Sequence, residues 1–154
     1  MKISDILKPV GVIPDIQATT KKDILAELAR PIASENGLDL DNIVDILLNR
    51  EKLGSTGIGE GVAIPHGKIG GLDNISASIG ISHKGLKFDA LDGKPCHIFF
   101  LLVAPSNSIS GHLKALARAS MLLKNPSLRK ALMDSVSASD LHQVILKFDS
   151  NLDE

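Results

Sequence analysis

The chain has neither Trp nor Tyr and only four Phe among its 154 residues. Aromatic platforms for stacking unpaired bases are therefore missing, which argues against a single-stranded nucleic-acid function. An excess of one charge is missing as well, because 17 Lys and Arg stand against 18 Asp and Glu, for a formal net charge of −1. No basic field is available to neutralise a phosphate backbone or an anionic lipid surface, so no nucleic-acid partner is expected. The single cysteine, Cys96, can form no internal disulfide and has no neighbouring thiol with which to hold a metal. A reducing, cytoplasmic setting fits. Long apolar runs are also absent: the longest, Ile98 to Ala104, lies between His97 and Pro105 and is far short of the roughly 20 residues a spanning helix needs. Lys2, Asp5 and Lys8 interrupt the N-terminus before any leader-like apolar core, so neither export nor membrane insertion is expected.

Hydrophobic residues make up 44% of the chain, so the core must be built from Ile, Leu, Val and Ala. At this length a single domain, 1–154, buries roughly 68–70% of its unfolded surface and needs no staple. Val10 to Ala18 reads as an edge strand interrupted by Pro14. Thr20 with Asp23 forms a capping-box pattern before a helix whose apolar face is Ile24, Leu25, Leu28 and Ile32. Pro31 lacks the amide that would bond the Glu27 carbonyl and is expected to kink or end that helix, with Gly37 closing the segment. Asp41 is placed to cap a second helix, with Ile43, Ile46, Leu47 and Leu53 turned inward and Arg50 in the last turn.

Beyond the Gly-rich stretch from Gly54 to Gly71, Ile75, Ala77, Ile79 and Ile81 alternate with small polar residues, the period of a half-buried strand. The continuous run from His97 to Val103, after the Asp92-Gly93 turn signal, predicts a central strand buried on both faces. Ser110 is placed to cap a helix with Leu113, Leu116, Ala117 and Leu123 on its face; Asn125-Pro126 ends it and starts another. Ser139 introduces a last helix through Leu141, Val144, Ile145 and Phe148. Helices on either side of the strands predict an α/β fold, a sheet covered on both faces.

The Gly-rich stretch excludes several chemistries. Gly61 to Gly67 has five intervening residues and Lys68 is followed by Ile69, so no Walker loop is present. Gly57, Gly59 and Gly61 lack the third glycine of a dinucleotide fingerprint, and no G-x-S-x-G elbow occurs. The histidines lack metal-ligand spacing, so no metal is expected. What the stretch does hold is His66 between Pro65 and Gly67, after glycine amides that can form an anion nest. A neutral imidazole can attack a phosphoryl group and later leave from it; a surface turn with an incidental His is the competing reading. Arg50 can fork two phosphate oxygens or simply meet its helix dipole. His112, in a first helical turn, can hydrogen-bond a phosphoryl oxygen or merely be solvated. Ser55 and Thr56 can bind phosphate or shape the turn. His83 reads as a solvated turn residue, His142 as lying off its helix's apolar face, and His97 as structural. Cys96 reads as a small packed side chain.

The segment Arg50-Glu51-Lys52-Leu53-Gly54-Ser55-Thr56-Gly57-Ile58-Gly59, followed by Val62-Ala63-Ile64-Pro65-His66-Gly67-Lys68, resembles the active-site region of the enzyme IIA components of the bacterial sugar phosphotransferase system, fructose and mannitol type. The resemblance implies a single-domain mixed sheet with helices on both faces. It also implies that His66 accepts a phosphoryl group from a histidine phosphocarrier protein, at Nε2, with Arg50 and His112 (in Gly111-His112-Leu113) beside it; Ser55, Thr56 and Gly67 are the expected phosphate-binding residues. No cofactor is implied. Within the family the wording looks most like the nitrogen-regulatory branch, whose partners include potassium-transport and sensor-kinase proteins. A sugar-specific IIA passing phosphate to a IIB component, and a binding module that no longer accepts phosphate, are the alternatives.

Overall fold

The computed structural model describes residues 1–152. A 3-10 turn, Ile3–Asp5, leads into β1 (Leu7–Ile13), and α1 (Lys21–Asn36) and α2 (Leu40–Lys52) follow. Then come the short strands β2 (Gly57–Gly59), β3 (Val62–Ala63) and β4 (His66–Ile69), and the long strands β5 (Ser76–Leu86) and β6 (Cys96–Pro105). The chain finishes with α3 (Ser110–Leu123), α4 (Pro126–Asp134) and α5 (Ala138–Asn151).

The six strands form one mixed sheet in the order β1-β5-β6-β3-β2, with β4 also pairing β6. As expected, the apolar run becomes the central strand. β6 runs antiparallel to β5 and parallel to β3 and β4. Its side chains alternate between two cores. Ile98, Phe100 and Leu102 join residues of α3, α4 and α5 on one face, while Phe99, Leu101 and Val103 join residues of α1 and α2 on the other. Phe88, Phe99 and Phe100 are fully buried, so the few aromatics are all but one spent in the core.

β1 stops at Ile13, before Pro14, and starts earlier than expected; it lies at the sheet margin, where a missing amide costs least. Thr20 caps α1, its hydroxyl accepting the Asp23 N–H at 3.1 Å. The helix runs through Pro31 instead of ending there, because Leu28, Ala29, Ile32 and Ala33 on both sides of the proline are buried against the sheet. Gly37, at φ 62°, supplies the left-handed cap.

Several expectations shift by a residue or two. Asp39 rather than Asp41 caps α2, and Leu53, beyond the helix end, is 85% exposed rather than core. Ser137 rather than Ser139 caps α5. The β5 strand is covered on both faces, not one. Ser78 is fully buried and gives its hydroxyl to the Leu28 carbonyl at 2.7 Å, which lets α1 lie over the polar side of the alternation. His83 belongs to β5 and its Nε2 faces the Pro14 carbonyl at 3.2 Å. Among the described residues no helix is long and apolar enough to cross a membrane.

Candidate functional site

Three elements end at one place. Arg50 lies in the last turn of α2, His66 opens β4, and His112 stands in the first turn of α3. One reading of the sequence has His66 in a surface turn. The structure instead ends β3 at Ala63 and gives His66 a strand of its own, in register with Leu102 of β6. A histidine in a paired strand is held more stiffly than one in a turn.

The His66 Nδ1 lies 2.9 Å from the Ile64 carbonyl oxygen. A carbonyl can only accept, so Nδ1 carries the proton and Nε2 keeps its lone pair. The His112 ring is 5.6 Å away, centroid to centroid, tilted by 46°. It is buried, and its Nδ1 has no hydrogen-bond partner, an unusual state for a buried polar nitrogen. Burial lowers the pKa of His66, with the Arg50 charge adding to that and the Ile64 hydrogen bond and Glu51 opposing it. Burial also lowers that of His112, helped by the His66 and Lys68 charges. Both rings are therefore neutral at neutral pH.

Arg50 is half-buried and donates from Nη1 to the Gly54 carbonyl at 2.9 Å. This bond folds the guanidinium back over the loop that leads to His66. Ser110 does not cap α3. Ile109 occupies the cap position without a side-chain hydrogen bond, whereas Thr20, Asp39, Asn125 and Ser137 all cap their helices. The first amides of α3, beside His112, are left without side-chain acceptors.

The structure does not bring all the expected residues to an anion. The Thr56 hydroxyl is buried and bonds the Glu51 carboxylate, and Thr56 N–H is bound there too. The Ser55 hydroxyl donates to the Phe88 carbonyl and accepts the Gly57 N–H. Both hydroxyls thus fasten the loop instead of facing open space. Gly67 packs under α2: a Cβ there would stand 3.3 Å from Ile46 Cγ2 and 3.4 Å from Leu47 Cδ2. Its small size lets the helix that carries Arg50 approach β4. No local pattern marks Glu51 as an inward residue, yet it is only 7% exposed. Among the described residues no group of three or more His, Cys, Asp or Glu side chains is placed to hold a metal ion.

The α3 face also differs from expectation. His112, Ala115, Ala119, Leu122 and Leu123 point inward, whereas Leu113 is 60% exposed and Ile109 71%. Both exposed residues lie within one turn of His112 along the chain.

A neutral histidine with one fixed proton and one free lone pair, set on a sheet beside a second neutral histidine and a guanidinium, defines a class of α/β protein suited to nucleophilic chemistry on an anion. The chain belongs to the family described as "Phosphoenolpyruvate-dependent sugar phosphotransferase system, EIIA 2", whose model matches residues 5–148. A nitrogen regulatory protein of Bradyrhizobium diazoefficiens is 38% identical over 145 residues, which cover 94% of this chain and 95% of that protein. The crystal structure of nitrogen regulatory protein IIA-Ntr from Neisseria meningitidis superposes with a TM-score of 0.87 at 33% identity, covering 93% of this chain and 98% of that one. The fructose-specific EIIABC component of Bacillus subtilis is 34% identical over 150 residues, 97% of this chain but 24% of that longer protein.

Proposed function

We propose that this chain is a cytoplasmic phosphoryl carrier in which Nε2 of His66 takes the phosphoryl group from a phosphohistidine on a histidine phosphocarrier protein. The observation that carries the reading is the Nδ1 contact to the Ile64 carbonyl at 2.9 Å, which leaves Nε2 as the nucleophilic atom. In the step, the Nε2 lone pair forms the new P–N bond as the P–N bond of the donor histidine breaks. The electron pair returns to the donor ring, so the exchange is balanced and readily reversible. Charge spread over the equatorial oxygens is met by the Arg50 guanidinium, by the His112 ring, whose Nδ1 has no partner, and by the first amides of α3. The exposed Ile109 and Leu113, within one turn of His112 along the chain, offer the protein donor an apolar surface.

The similarity to nitrogen regulatory proteins along nearly the whole chain supports a regulatory end use. The phosphorylation state would then be read by partner proteins such as potassium-transport or sensor-kinase proteins. The match to a fructose-specific EIIABC component supports a second reading, in which the group passes to a IIB component during sugar uptake. Intact-mass measurement at neutral pH, after incubation with phosphoenolpyruvate, enzyme I and the phosphocarrier, tests the shared chemistry. A single acid-labile adduct of about 80 Da on wild type and none on His66→Ala is expected of a histidine nucleophile. An adduct retained in His66→Ala would overturn the assignment. Onward transfer to a purified IIB component would favour the sugar-uptake reading.

A further inference from the structure

Glu51 follows Arg50 on α2 and is not used by the transfer step, yet its side chain is only 3% exposed. A carboxylate taken out of water costs several kcal/mol unless its oxygens are well matched, so its partners are informative. Both oxygens lie 3.2–3.3 Å from the Thr56 N–H, and one also takes the Thr56 hydroxyl proton. The Thr56 carbonyl in turn accepts the Ile64 N–H at 3.0 Å. The Ile64 carbonyl accepts the Nδ1 proton of His66 at 2.9 Å. Four residues are thus joined in series, from a buried carboxylate to the ring nitrogen opposite the nucleophilic one. The same turn is closed by Gly54 N–H on the Glu51 carbonyl at 3.1 Å, and Gly54 is where Arg50 docks.

The geometry points to Glu51 as the positioning residue of the His66 nucleophile, acting through Thr56 and Ile64 to fix the ring's tautomer and its aim. This rests on His66 being the phosphoryl acceptor. The role parallels that of a carboxylate that orients a catalytic imidazole, with backbone groups interposed in place of direct contact. Other charged and titratable groups around Glu51 are Lys21 of α1, 3.5 Å away and shared with Asp89 at 3.3 Å, and Arg50 on its own helix. The Cys96 thiol of β6 also feels Glu51; burial, chiefly, pushes its pKa up to about 11, so it stays protonated. Lys21 further sits 4.5 Å over the Phe88 ring, whose carbonyl takes the Ser55 hydroxyl. The carboxylate is therefore locked from two sides.

The test compares Glu51→Gln, Thr56→Val and Thr56→Ser with wild type in two measurements. Nitrogen NMR of the imidazoles reports the tautomer and titration of His66, and single-turnover phosphorylation by the phosphocarrier separates the limiting rate from the half-saturating concentration. Glu51→Gln should move the His66 titration to lower pH, because the Glu51 charge opposes the downward shift. Glu51→Gln and Thr56→Val should slow the limiting rate by about a hundredfold, the scale of an ångström-sized misplacement, at unchanged half-saturation. Thr56→Ser should restore it. A wild-type titration and rate in Glu51→Gln would overturn the assignment, as would an effect confined to half-saturation. If wild type takes no phosphoryl group, the carrier reading fails and the positioning role falls with it; the titration would still show whether Glu51 acts on His66.

Discussion

Asp149→Ala removes a buried acceptor on which three separate elements converge. Asp149 is in α5, its side chain 2% exposed, and its Oδ1 lies 2.5 Å from Arg118 Nε of α3. Its Oδ2 accepts the Ile3 N–H at 2.7 Å, and its own carbonyl accepts Arg118 Nη2 at 3.1 Å. Truncation to Ala takes the carboxylate away from a guanidinium that is itself only 18% exposed, and from the amide that starts the chain's first turn. Breaking a buried ion pair from one side costs about 3–5 kcal/mol. For 154 residues the unfolding entropy is about 0.3 kcal/mol/K, so the melting temperature should fall by roughly 9–15 °C. Asp149→Asn, which keeps a carbonyl oxygen for one of the donors, should lose less. Calorimetry at pH 7 reads both variants, and the loss should persist in high salt because the pair is shielded from solvent ions. A fall for Asp149→Ala of under about 1 kcal/mol, the scale of an exposed pair, would refute the reasoning.

Acid should destabilise the protein through its two site histidines. Burial lowers both from the ordinary 6.5, so the unfolded chain takes up protons that the folded one refuses. Their contribution is complete above about pH 6.5 and is lost as pH falls through the folded values. Urea midpoints between pH 5 and pH 8 should fall on the acid side, less steeply in His66→Asn; a wild-type midpoint flat over that range would contradict the burial argument. Leu113→Glu, at a position 60% exposed, should change stability by no more than about 0.5 kcal/mol. It should nevertheless slow phosphorylation by the protein donor by raising the half-saturating concentration, and unaltered kinetics would remove Leu113 from the donor's surface.

The central architecture was legible because its signals are strong and local. The uninterrupted run into Ala104 could only be a doubly covered strand, and Thr20, Asn125-Pro126 and Gly37 act as helix punctuation by known side-chain and backbone chemistry. The short strands β2 and β4 were not legible. Glycine and proline dominate them, and what makes them strands is pairing with β3 and β6, contacts remote in sequence. The face of α3 was misread for a related reason. Apolarity favours Leu113, but the buried positions hold His112, Ala115 and Ala119, small or polar residues suited to a helix end that lies close to the sheet and a functional site. Ser55 and Thr56 suit either an anion or the turn by type; which way a hydroxyl turns depends on Phe88 and Glu51, and no local pattern encodes that.

The candidate site draws on both layers that cover the sheet. Arg50 belongs to α2, packed with α1 over the Phe99 side of β6, while His112 belongs to α3, packed over the Phe100 side. They meet at β4, which lies beside β6 outside the main strand path. A site placed there is sensitive to the spacing of the two layers that cover the sheet. Gly67 sets one spacing, since α2 side chains already stand within 3.4 Å of where a Cβ would go. Gly111 sets the other, where a Cβ would come within 3.0 Å of Ile75 Cδ1. Both glycines have ordinary backbone angles, so close approach, not conformational freedom, is what they provide. Pre-organisation of this kind comes from packing before any phosphoryl group arrives. A neutral histidine pair costs little to bury, whereas charged rings would have to be desolvated. The low pKa values and the tight spacing therefore have one origin, and a change that loosens either layer should disturb both.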